Sequence, residues 1–503
     1  MAKDNNNNGG GKLRRELKPG HVWAIAFGCI IGWGSFINPG KKFLFNSGVA
    51  GTAIAMALGA LIMIIIAYSY AYMVPKYPKA GGEFNFAKAC FGKTAAFVCG
   101  WFLVAAYLTN VPMNSTALSL IMDGLFGPIL KFGFHYTVAG FDVYAGEMIF
   151  IACVIVLFAW FNVRGVKVAG TIQTILAVTL ASCVFILAVA AVVSPETSFE
   201  NMRPFWGFDK TAALAAASAG TYSGVDPFAH TSDASVAAAI LATLAIAPWA
   251  FVGFDTIPQT AEEFKFSPKK VSLIMIVAIL FGAFVYIANN TVTAAALSNW
   301  PDLIVYADST PWLLLAAAEK LLGVFGKILV GVGVLCAVLS GMMGFYMASS
   351  RLMYSMAREG YLPKVFAKVD EKRGTPKNAM IFCMIISFSG PILGCEALGW
   401  FVDMSSIGAS IGFGFTCLAC WVTMKKFGDG TGFLKTMAVL GSVFSIMFIF
   451  LQLVPIPGLS GVAFGFQSRI MLVVWIALGA LFFVKQRKYF FGADEDIEIE
   501  AFE

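Results

Sequence analysis

Two apolar segments of the chain contain helix-breaking residues at positions where a simple membrane anchor would have none. The first segment, AIAFGCIIGWGSFINPG, contains three glycines and a proline in its interior: Gly28, Gly32, Gly34 and Pro39. The second, AIAPWAFVGFDTIPQTAEE, contains two prolines, a glycine and an acidic residue in its interior: Pro248, Pro258, Gly253 and Asp255. A glycine costs a helix about 1 kcal/mol and a proline about 3 kcal/mol. We therefore expect interruptions at residues 32–35 and 251–255, although small residues also permit close helix packing.

An interrupted helix exposes backbone groups that can bind a zwitterion. The N–H groups at the start of a half-helix attract a carboxylate, whereas free carbonyl groups attract an ammonium group or a metal cation. Asp255 adds a side chain whose charge costs at least about 2.5 kcal/mol at mid-membrane. It is a candidate to accept a proton, to bind a cationic side chain or to hydrogen-bond the first broken helix. A structural role, as the partner of freed backbone N–H groups, is the alternative.

The composition places these segments in a membrane protein. The 503 residues are 59% hydrophobic and 13% charged, with a mean hydropathy of +0.78, which leaves too little polar surface for a water-soluble protein. Unbroken apolar runs exclude a transmembrane barrel, whose strands alternate. Most of the charge-free windows in the sequence are near the roughly 20 residues that cross a bilayer as a helix. They predict an all-α bundle of twelve transmembrane helices. The windows are 22–40, 43–75, 94–122, 148–163, 168–195, 234–254, 271–301, 328–350, 378–395, 404–424, 436–468 and 470–484.

The two broken segments fall in spans 1 and 6. Because these spans are five positions apart, an odd number, a repeat of spans 1–5 by spans 6–10 would be inverted in the membrane, as in many secondary transporters. The predicted organisation has a cytoplasmic tail, a first repeat, an extracellular loop that includes residues 211–225, a second repeat, two further spans and a second tail. The corresponding residues are 1–20, 21–197, 198–233, 234–424, 425–487 and 488–503.

The charges predict the orientation. Placing the first tail in the cytoplasm puts most of the 35 Lys and Arg residues on the same side, so the positive-inside rule predicts cytoplasmic termini and a multi-pass protein of the cytoplasmic membrane. No cleavable signal peptide is expected, because the first 20 residues are polar. The net charge of +6 is then an orientation signal, and nucleic acid is excluded as a partner.

Cysteine and histidine give no sign of a metal site or an active site. The ten cysteines lie mostly in apolar windows, where Cys417 and Cys420 are expected to pack rather than to bind metal. His21, His135 and His230 are expected outside the membrane core, and no HExxH motif is present. We therefore expect no enzyme activity, no catalytic residue and no bound metal.

Several separated segments resemble the amino acid-polyamine-organocation permease family, in the family's order. The matches in the first half are IIGWGSF to IGxGxF in span 1, YPKAGGEFNFAKACFG to YPxAGGxYxYxxxxFG after span 2, and FNVRGVKVAGTIQ to NxxGVKxxxxxQ after span 4. In the second half, span 6 FVGFDTIPQTAEEFKFSP resembles FxGFDxxxxxAEExxxP, and SRLMYSMAREGYLPKVF after span 8 resembles SRxxxxMAxDGxLPxxF. DMSSIGA in span 10 resembles the SIGT segment of the branch near the cationic amino acid transporters.

This resemblance implies a leucine-transporter-like fold with a five-plus-five inverted repeat. It implies that a substrate carboxylate binds the backbone at Gly32, Trp33, Gly34 and Ser35. The substrate amino group would bind carbonyls near Ile31, Ala250 and Phe251, next to Gly253 and Asp255, with Trp249 and Phe254 as the covering aromatic residues. Trp33 departs from the family, which usually has a small residue there, and either points away from the site or takes volume from it.

The coupling ion is not determined by the resemblance. Some family members have a lysine in span 5 that replaces a bound sodium ion, whereas QTILAVTLASCVF here has Thr179 and Leu180 and no lysine. Carbonyls near Gly28 and Ile31, with the Ser340 hydroxyl, are candidate ligands for sodium. Ser340 bonding only to its own helix, proton coupling through Asp255 and uncoupled exchange are the alternatives. No cofactor beyond this coupling ion is expected.

The remaining ionisable candidates lie near the ends of spans. Asp403 in span 10 is a further candidate. Glu83, Glu262, Glu263 and Arg351 are candidates for an inner gate held by ion pairs, with a solvated position as the equal alternative.

The function predicted is secondary active transport of an amino acid or small amine by alternating access, in a monomer or homodimer embedded in the lipid bilayer. The alternative is a transporter of a nucleobase or another non-amino-acid solute on the same fold. A nutrient sensor is disfavoured by the short tails, and an ion channel by the single internal repeat. The sequence does not identify the substrate.

Overall fold

A computed structural model describes residues 13–224, 236–306, 312–457, 459 and 462–485, and this part of the chain is almost entirely helical. In the first half the helices are α1 (Pro19–Ile30), α2 (Gly34–Asn38), α3 (Leu44–Lys76), α4 (Gly82–Phe126), α5 (Ala145–Val163), α6 (Val166–Val193) and α7 (Lys210–Ser218). In the second half they are α8 (Val236–Leu244), α9 (Ala247–Ala250), α10 (Val271–Ala296), α11 (Trp300–Tyr306), α12 (Leu313–Leu322), α13 (Val324–Arg358), α14 (Lys377–Ser387), α15 (Ser389–Leu393), α16 (Ala397–Phe427), α17 (Gly432–Leu453) and α18 (Phe466–Lys485).

Shorter turns connect several of these helices. A π-helical turn, Pro39–Phe43, joins α2 to α3, and 3₁₀ turns at Phe254–Thr256 and Pro258–Glu263 follow α9. Three further 3₁₀ turns lie at Glu200–Met202, Pro268–Lys270 and Lys364–Ala367.

Many of the helices are suited to a membrane. Within the described residues, nine helical segments are long and apolar enough to cross a bilayer, and two shorter apolar helices cover Pro19–Ile30 and Lys377–Leu393. The predicted window 234–254 falls on α8 and α9. Large side chains of α18, such as Val473 and Leu481, are about two-thirds exposed, as expected for helices that face lipid. The chain is therefore a multi-pass membrane protein.

Two short elements lie between the spans. Within the predicted extracellular loop, residues 210–218 form α7, whose N-cap Asp209 accepts a hydrogen bond from the Ala212 N–H at 3.0 Å. A hairpin of β1 (His135–Val138) and β2 (Phe141–Tyr144) precedes α5. His21 lies in the first turn of α1, while His230 lies outside the described residues.

The core surrounds the first broken helix. α1 packs against α6, α10 and α13, and the 3₁₀ turn after α9 also contacts it. α4 packs along α13 and α16, and it approaches α16 so closely that a Cβ at Gly408 would lie 2.4 Å from the Phe102 carbonyl oxygen. The pieces of the two broken helices are thus enclosed by long, continuous ones.

Candidate functional site

The first predicted break is present, but it covers residues 31–33 rather than 32–35. α1 ends at Ile30, Ile31 is extended, and α2 begins at Gly34. Gly34 and Ser35, expected within the break, instead form the first turn of α2. In the described chain, the N–H groups of Gly32, Trp33 and Gly34 have no backbone hydrogen-bond partner. They lie at the start of a half-helix, where the helix dipole favours an anion.

The second predicted break is confirmed and touches the first. α9 ends at Ala250, residues 251–253 form a turn, and the following helix is of the 3₁₀ type. Gly253 has φ 144°, a conformation that side chains disfavour. A Cβ on Gly253 would lie only 2.6 Å from the Ile30 backbone nitrogen. Glycine is therefore required where the two breaks meet.

Free carbonyl groups complete the set of backbone groups at the breaks. Within the described residues, the carbonyls of Ile31, Ala250 and Phe251 accept no backbone hydrogen bond. All three residues are completely buried. Buried backbone groups without partners are rare in proteins and need an explanation. The first break thus offers free N–H groups, and both breaks offer free carbonyls; these groups are suited to a carboxylate and an ammonium group, respectively.

The aromatic residues divide into two groups. Trp33 and Trp249 are buried beside the first break, with ring centroids 6.1 Å apart. Trp249 lies over Gly34, because a Cβ there would lie 2.3 Å from its Cη2 atom. Phe254 instead stacks on Phe413 of α16 at 5.4 Å. Trp249 and Trp33 therefore border the free backbone groups, whereas Phe254 packs against α16.

Asp255 stabilises the second break from within. Its Oδ1 atom accepts a hydrogen bond from the Gly253 N–H at 2.7 Å. One of the roles open from the sequence, the partner of a freed backbone N–H, is therefore present. The other carboxylate oxygen, Oδ2, accepts a hydrogen bond from the Tyr107 hydroxyl at 3.0 Å.

Two polar residues of α4 were missed in the sequence, and one of them, Asn114, lies next to the first break. Asn114 Oδ1 lies 3.3 Å from the Cβ position of Gly32, and Asn110 donates to Ser405 Oγ at 2.7 Å. The Oδ1 atoms of both asparagines are buried without a partner. On α10, Asn289 donates to the Ser35 carbonyl at 3.0 Å. Tyr107, Asn110 and Asn114 are three and four residues apart in the sequence, a spacing that places them on one face of a helix.

Two of the residues predicted to bind a coupling ion, Gly28 and Ser340, are in contact between α1 and α13, whereas no hydrogen bond joins Ile31 to Ser340 in the described part of the chain. Ser340 Oγ donates to the Gly28 carbonyl at 3.2 Å and to the Ala337 carbonyl of its own helix at 2.9 Å. Gln173 of α6 lies next to them, because its Nε2 atom is 2.3 Å from the Cβ position of Gly28. That amide donates to the Ala24 carbonyl at 3.1 Å. A neutral amide donor thus occupies the space beside Gly28 and Ser340.

The charged residues near the span ends are mostly buried, so the solvated alternative is wrong for Glu83, Glu263 and Arg351. Arg351 Nη2 and Nε donate to the two carboxylate oxygens of Glu263 at 2.9 and 3.1 Å. Both side chains are fully buried. Glu262 forms a partly exposed pair with Arg358 at 2.6 Å. This pairing joins α13 to the 3₁₀ turns of the second broken helix.

Other sequence candidates lie away from these groups. Asp403 is half-buried in α16. All ten cysteines are free thiols. No group of His, Cys, Asp or Glu side chains within the described ranges has the arrangement of a metal site.

The geometry of two touching breaks, together with a family comparison, decides the classification. The model of the amino acid permease family matches residues 20–482. This chain belongs to that family. The match includes both broken helices and all the residues of the candidate site. Membership of this family implies a small-molecule substrate and a position in the membrane.

Individual members of the family are only distantly similar. The cationic amino acid transporter 4, vacuolar, of Arabidopsis thaliana is 24% identical over 84% of this chain and 65% of its own length. The large neutral amino acids transporter small subunit 2 of Homo sapiens is 27% identical over 75% of this chain and 64% of its own length. The chain thus spans less than two thirds of these two relatives. The methylthioribose transporter of Bacillus subtilis (strain 168) is 22% identical over 95% of this chain and 94% of its own length.

Proposed function

We propose that the chain is a secondary active transporter of an amino acid or small amine that works by alternating access. One observation carries the proposal: the two breaks meet where Gly253 contacts Ile30, and within the described residues the N–H groups of Gly32–Gly34 and the carbonyls of Ile31, Ala250 and Phe251 have no backbone hydrogen-bond partner. The carboxylate of the substrate binds the N–H groups, and its ammonium group binds the carbonyls. The names of the plant and human relatives support the same substrate class.

The fold proposed for this function has twelve spans, with spans 1–5 and 6–10 as inverted repeats over residues 21–197 and 234–424. α1 and α2 form span 1, α8, α9 and the 3₁₀ turns form span 6, and α14 and α15 form span 9. The position of a break in the first span of each half supports the repeat. We propose that both termini are cytoplasmic, in a monomer or homodimer of the cytoplasmic membrane.

The substrate is limited in size by the two tryptophans. Trp33 and Trp249 are both buried beside the free backbone groups, so they take volume from a bound side chain. Trp249 is positioned over Gly34 to cover the substrate. We therefore propose a substrate of modest size. The match along nearly the whole of the methylthioribose transporter favours a non-amino-acid solute of similar size as the second candidate.

Counterflow in proteoliposomes tests this function. Vesicles with purified protein are loaded with one unlabelled compound, diluted, and supplied with the same radiolabelled compound. We expect transient accumulation of at least one amino acid, from a panel of neutral, cationic and acidic L-amino acids. Accumulation of methylthioribose or a nucleobase alone would establish the second candidate, and no accumulation of any compound would overturn the proposal. Protein-free vesicles are the control.

Sodium is not expected to drive uptake. The Gln173 amide nitrogen lies beside Gly28, whose carbonyl accepts the Ser340 hydroxyl, and a donor group disfavours a cation there. Uptake under an inward sodium gradient, at equal pH on both sides, should match uptake under a potassium gradient, in the wild type and in Ser340→Ala alike. Acceleration by sodium that is lost in Ser340→Ala would contradict this expectation and restore Gly28, Ile31 and Ser340 as a sodium site.

A further inference from the structure

Two carboxyl groups on different elements face each other across one hydroxyl. Glu83 lies in the first turn of α4 and Asp255 in the 3₁₀ turn after the second break, and both are fully buried. The Tyr107 hydroxyl oxygen is 3.3 Å from Glu83 Oε1 and 3.0 Å from Asp255 Oδ2. A single phenol group therefore connects the continuous α4 to the broken helix.

The number of protons at this contact is one too few if both carboxyl groups are ionised. The Tyr107 hydroxyl has a single hydrogen to donate. When it donates to Asp255, its oxygen faces Glu83 Oε1 with no hydrogen between them. A proton on Glu83 fills this gap, because the acid then donates to Tyr107 and Tyr107 donates to Asp255. Gln259 Nε2 also donates to the Tyr107 oxygen, at 3.4 Å, but only the additional proton places a hydrogen between Tyr107 and Glu83 Oε1.

The other hydrogen-bond partners of Glu83 also supply no hydrogen between Glu83 Oε1 and the Tyr107 oxygen. Oε1 accepts a hydrogen bond from the Tyr70 hydroxyl at 2.8 Å, and Oε2 accepts one from Gln259 Nε2 at 2.5 Å. Both donors are neutral, so they satisfy oxygen lone pairs without supplying a positive charge. Gln259 belongs to the same segment as Asp255, and this gives the broken helix two contacts with Glu83.

The surroundings supply no cation to balance two negative charges. Among the described residues, neither carboxyl group forms an ion pair. The ionisable groups that face them are Tyr70 of α3, Tyr107 and Cys99 of α4, and Cys29 of α1. Arg351 of α13 donates to Glu263 with both Nε and Nη2. Two carboxylates this close in a buried site cannot both be ionised without a large electrostatic cost.

We propose that Glu83 and Asp255 share one proton through Tyr107, and that Glu83 carries this proton through the transport cycle. The shared proton follows from the buried geometry alone, whereas its part in transport rests on the proposed function. Movement of the broken helix away from α4 would separate Asp255 and Gln259 from Glu83 and admit water to all three. Glu83 takes the proton from a hydronium ion on one side of the membrane, which leaves a water molecule there, and gives it to a water molecule on the other side, which forms a hydronium ion.

Infrared spectroscopy tests the shared proton without any transport. A protonated carboxyl group gives a C=O stretching band that a carboxylate lacks, and the band shifts in D₂O. We expect this band in wild-type protein at neutral pH, its loss in Glu83→Gln, and a shifted band in Tyr107→Phe, which lacks the bridging hydroxyl. Glu262→Gln is the matched control, since Glu262 is partly exposed and paired with Arg358. This variant should show the same protonated-carboxyl band as the wild type. Absence of the band from the wild type, or its persistence in Glu83→Gln, would overturn the proposal.

Proteoliposome uptake tests the role of the proton. The readout is the ratio of initial uptake rates with and without an inward proton gradient, using a mixture of radiolabelled L-leucine, L-serine and L-arginine; this ratio does not depend on the amount of folded protein. We expect a ratio well above one in the wild type and in Glu262→Gln, and a ratio of one in Glu83→Gln. A wild-type ratio of one, or unchanged acceleration in Glu83→Gln, would overturn the coupling role. Neither result affects the proposed function, which fails only if no compound shows counterflow.

Discussion

Uptake is expected to be abolished by Gly34→Val while the protein still inserts into the membrane. A Cβ at this position would lie 2.3 Å from Trp249 Cη2 and 3.0 Å from Asn38 Nδ2, so valine forces the indole from its place and crowds the free N–H groups of the first break. Misplacing binding groups by about 1 Å can reduce a rate about 100-fold. The measurement is initial uptake by reconstituted protein, normalised to the amount inserted.

Gly399→Val is the matched control for this substitution. Gly399 is also helical, but a Cβ there meets nothing within 4 Å, so both variants carry the same β-branched side chain in a helix. The control should transport like the wild type. Normal uptake by a correctly inserted Gly34→Val protein would contradict the assignment of this backbone to the substrate.

Removing the buried arginine is expected to destabilise the protein severely. Arg351→Met leaves Glu263 in a fully buried place without its two charged donors. Breaking a buried ion pair in this way costs about 3–5 kcal/mol. The apparent free energy of unfolding, from denaturant titration of the purified protein in one detergent, measures the loss. Because the pair joins α13 to the second broken helix, the loss concerns the part of the fold that holds the site.

Two further variants make this prediction specific. Arg358→Met removes the partner of Glu262, which is partly exposed, and such pairs contribute about 0–1 kcal/mol. The double variant with Arg351→Met and Glu263→Gln removes the uncompensated charge, and it should recover part of the lost stability. Equal effects of Arg351→Met and Arg358→Met would contradict a structural role for the buried pair.

The sequence alone located the two breaks, because glycine and proline in an apolar segment have a direct effect on the backbone. The first break was placed one residue too late at its start and two residues too late at its end, because Gly34 and Ser35 already belong to α2. A helix can begin again wherever groups outside it satisfy its first N–H groups. The sequence identified Gly253 as a helix-breaking residue. Its role at the contact with Ile30, however, depends on how two spans that are distant in sequence meet. That contact has no local signal in the sequence.

Side-chain roles were harder to predict than backbone breaks. A search for charges found Glu83, Glu263 and Arg351, but a position at the end of a span does not determine burial, and all three are buried. The neutral Asn110 and Asn114 were missed, although their helical spacing with Tyr107 placed them on one face. Phe254 was one of 47 phenylalanines, and only the fold shows that it packs on Phe413.

The most direct test of the site compares a substrate with its blocked derivatives. Thermal unfolding of purified protein is measured with an amino acid that shows counterflow, with its methyl ester and with its N-acetyl derivative. At 100 times its dissociation constant the free amino acid should add about 2.7 kcal/mol to stability. Both derivatives should fail to stabilise, because one lacks the carboxylate for the N–H groups at Gly32–Gly34 and the other lacks the ammonium group for the carbonyls of Ile31, Ala250 and Phe251. Equal stabilisation by the free amino acid and both derivatives would contradict recognition of the substrate by the two broken helices.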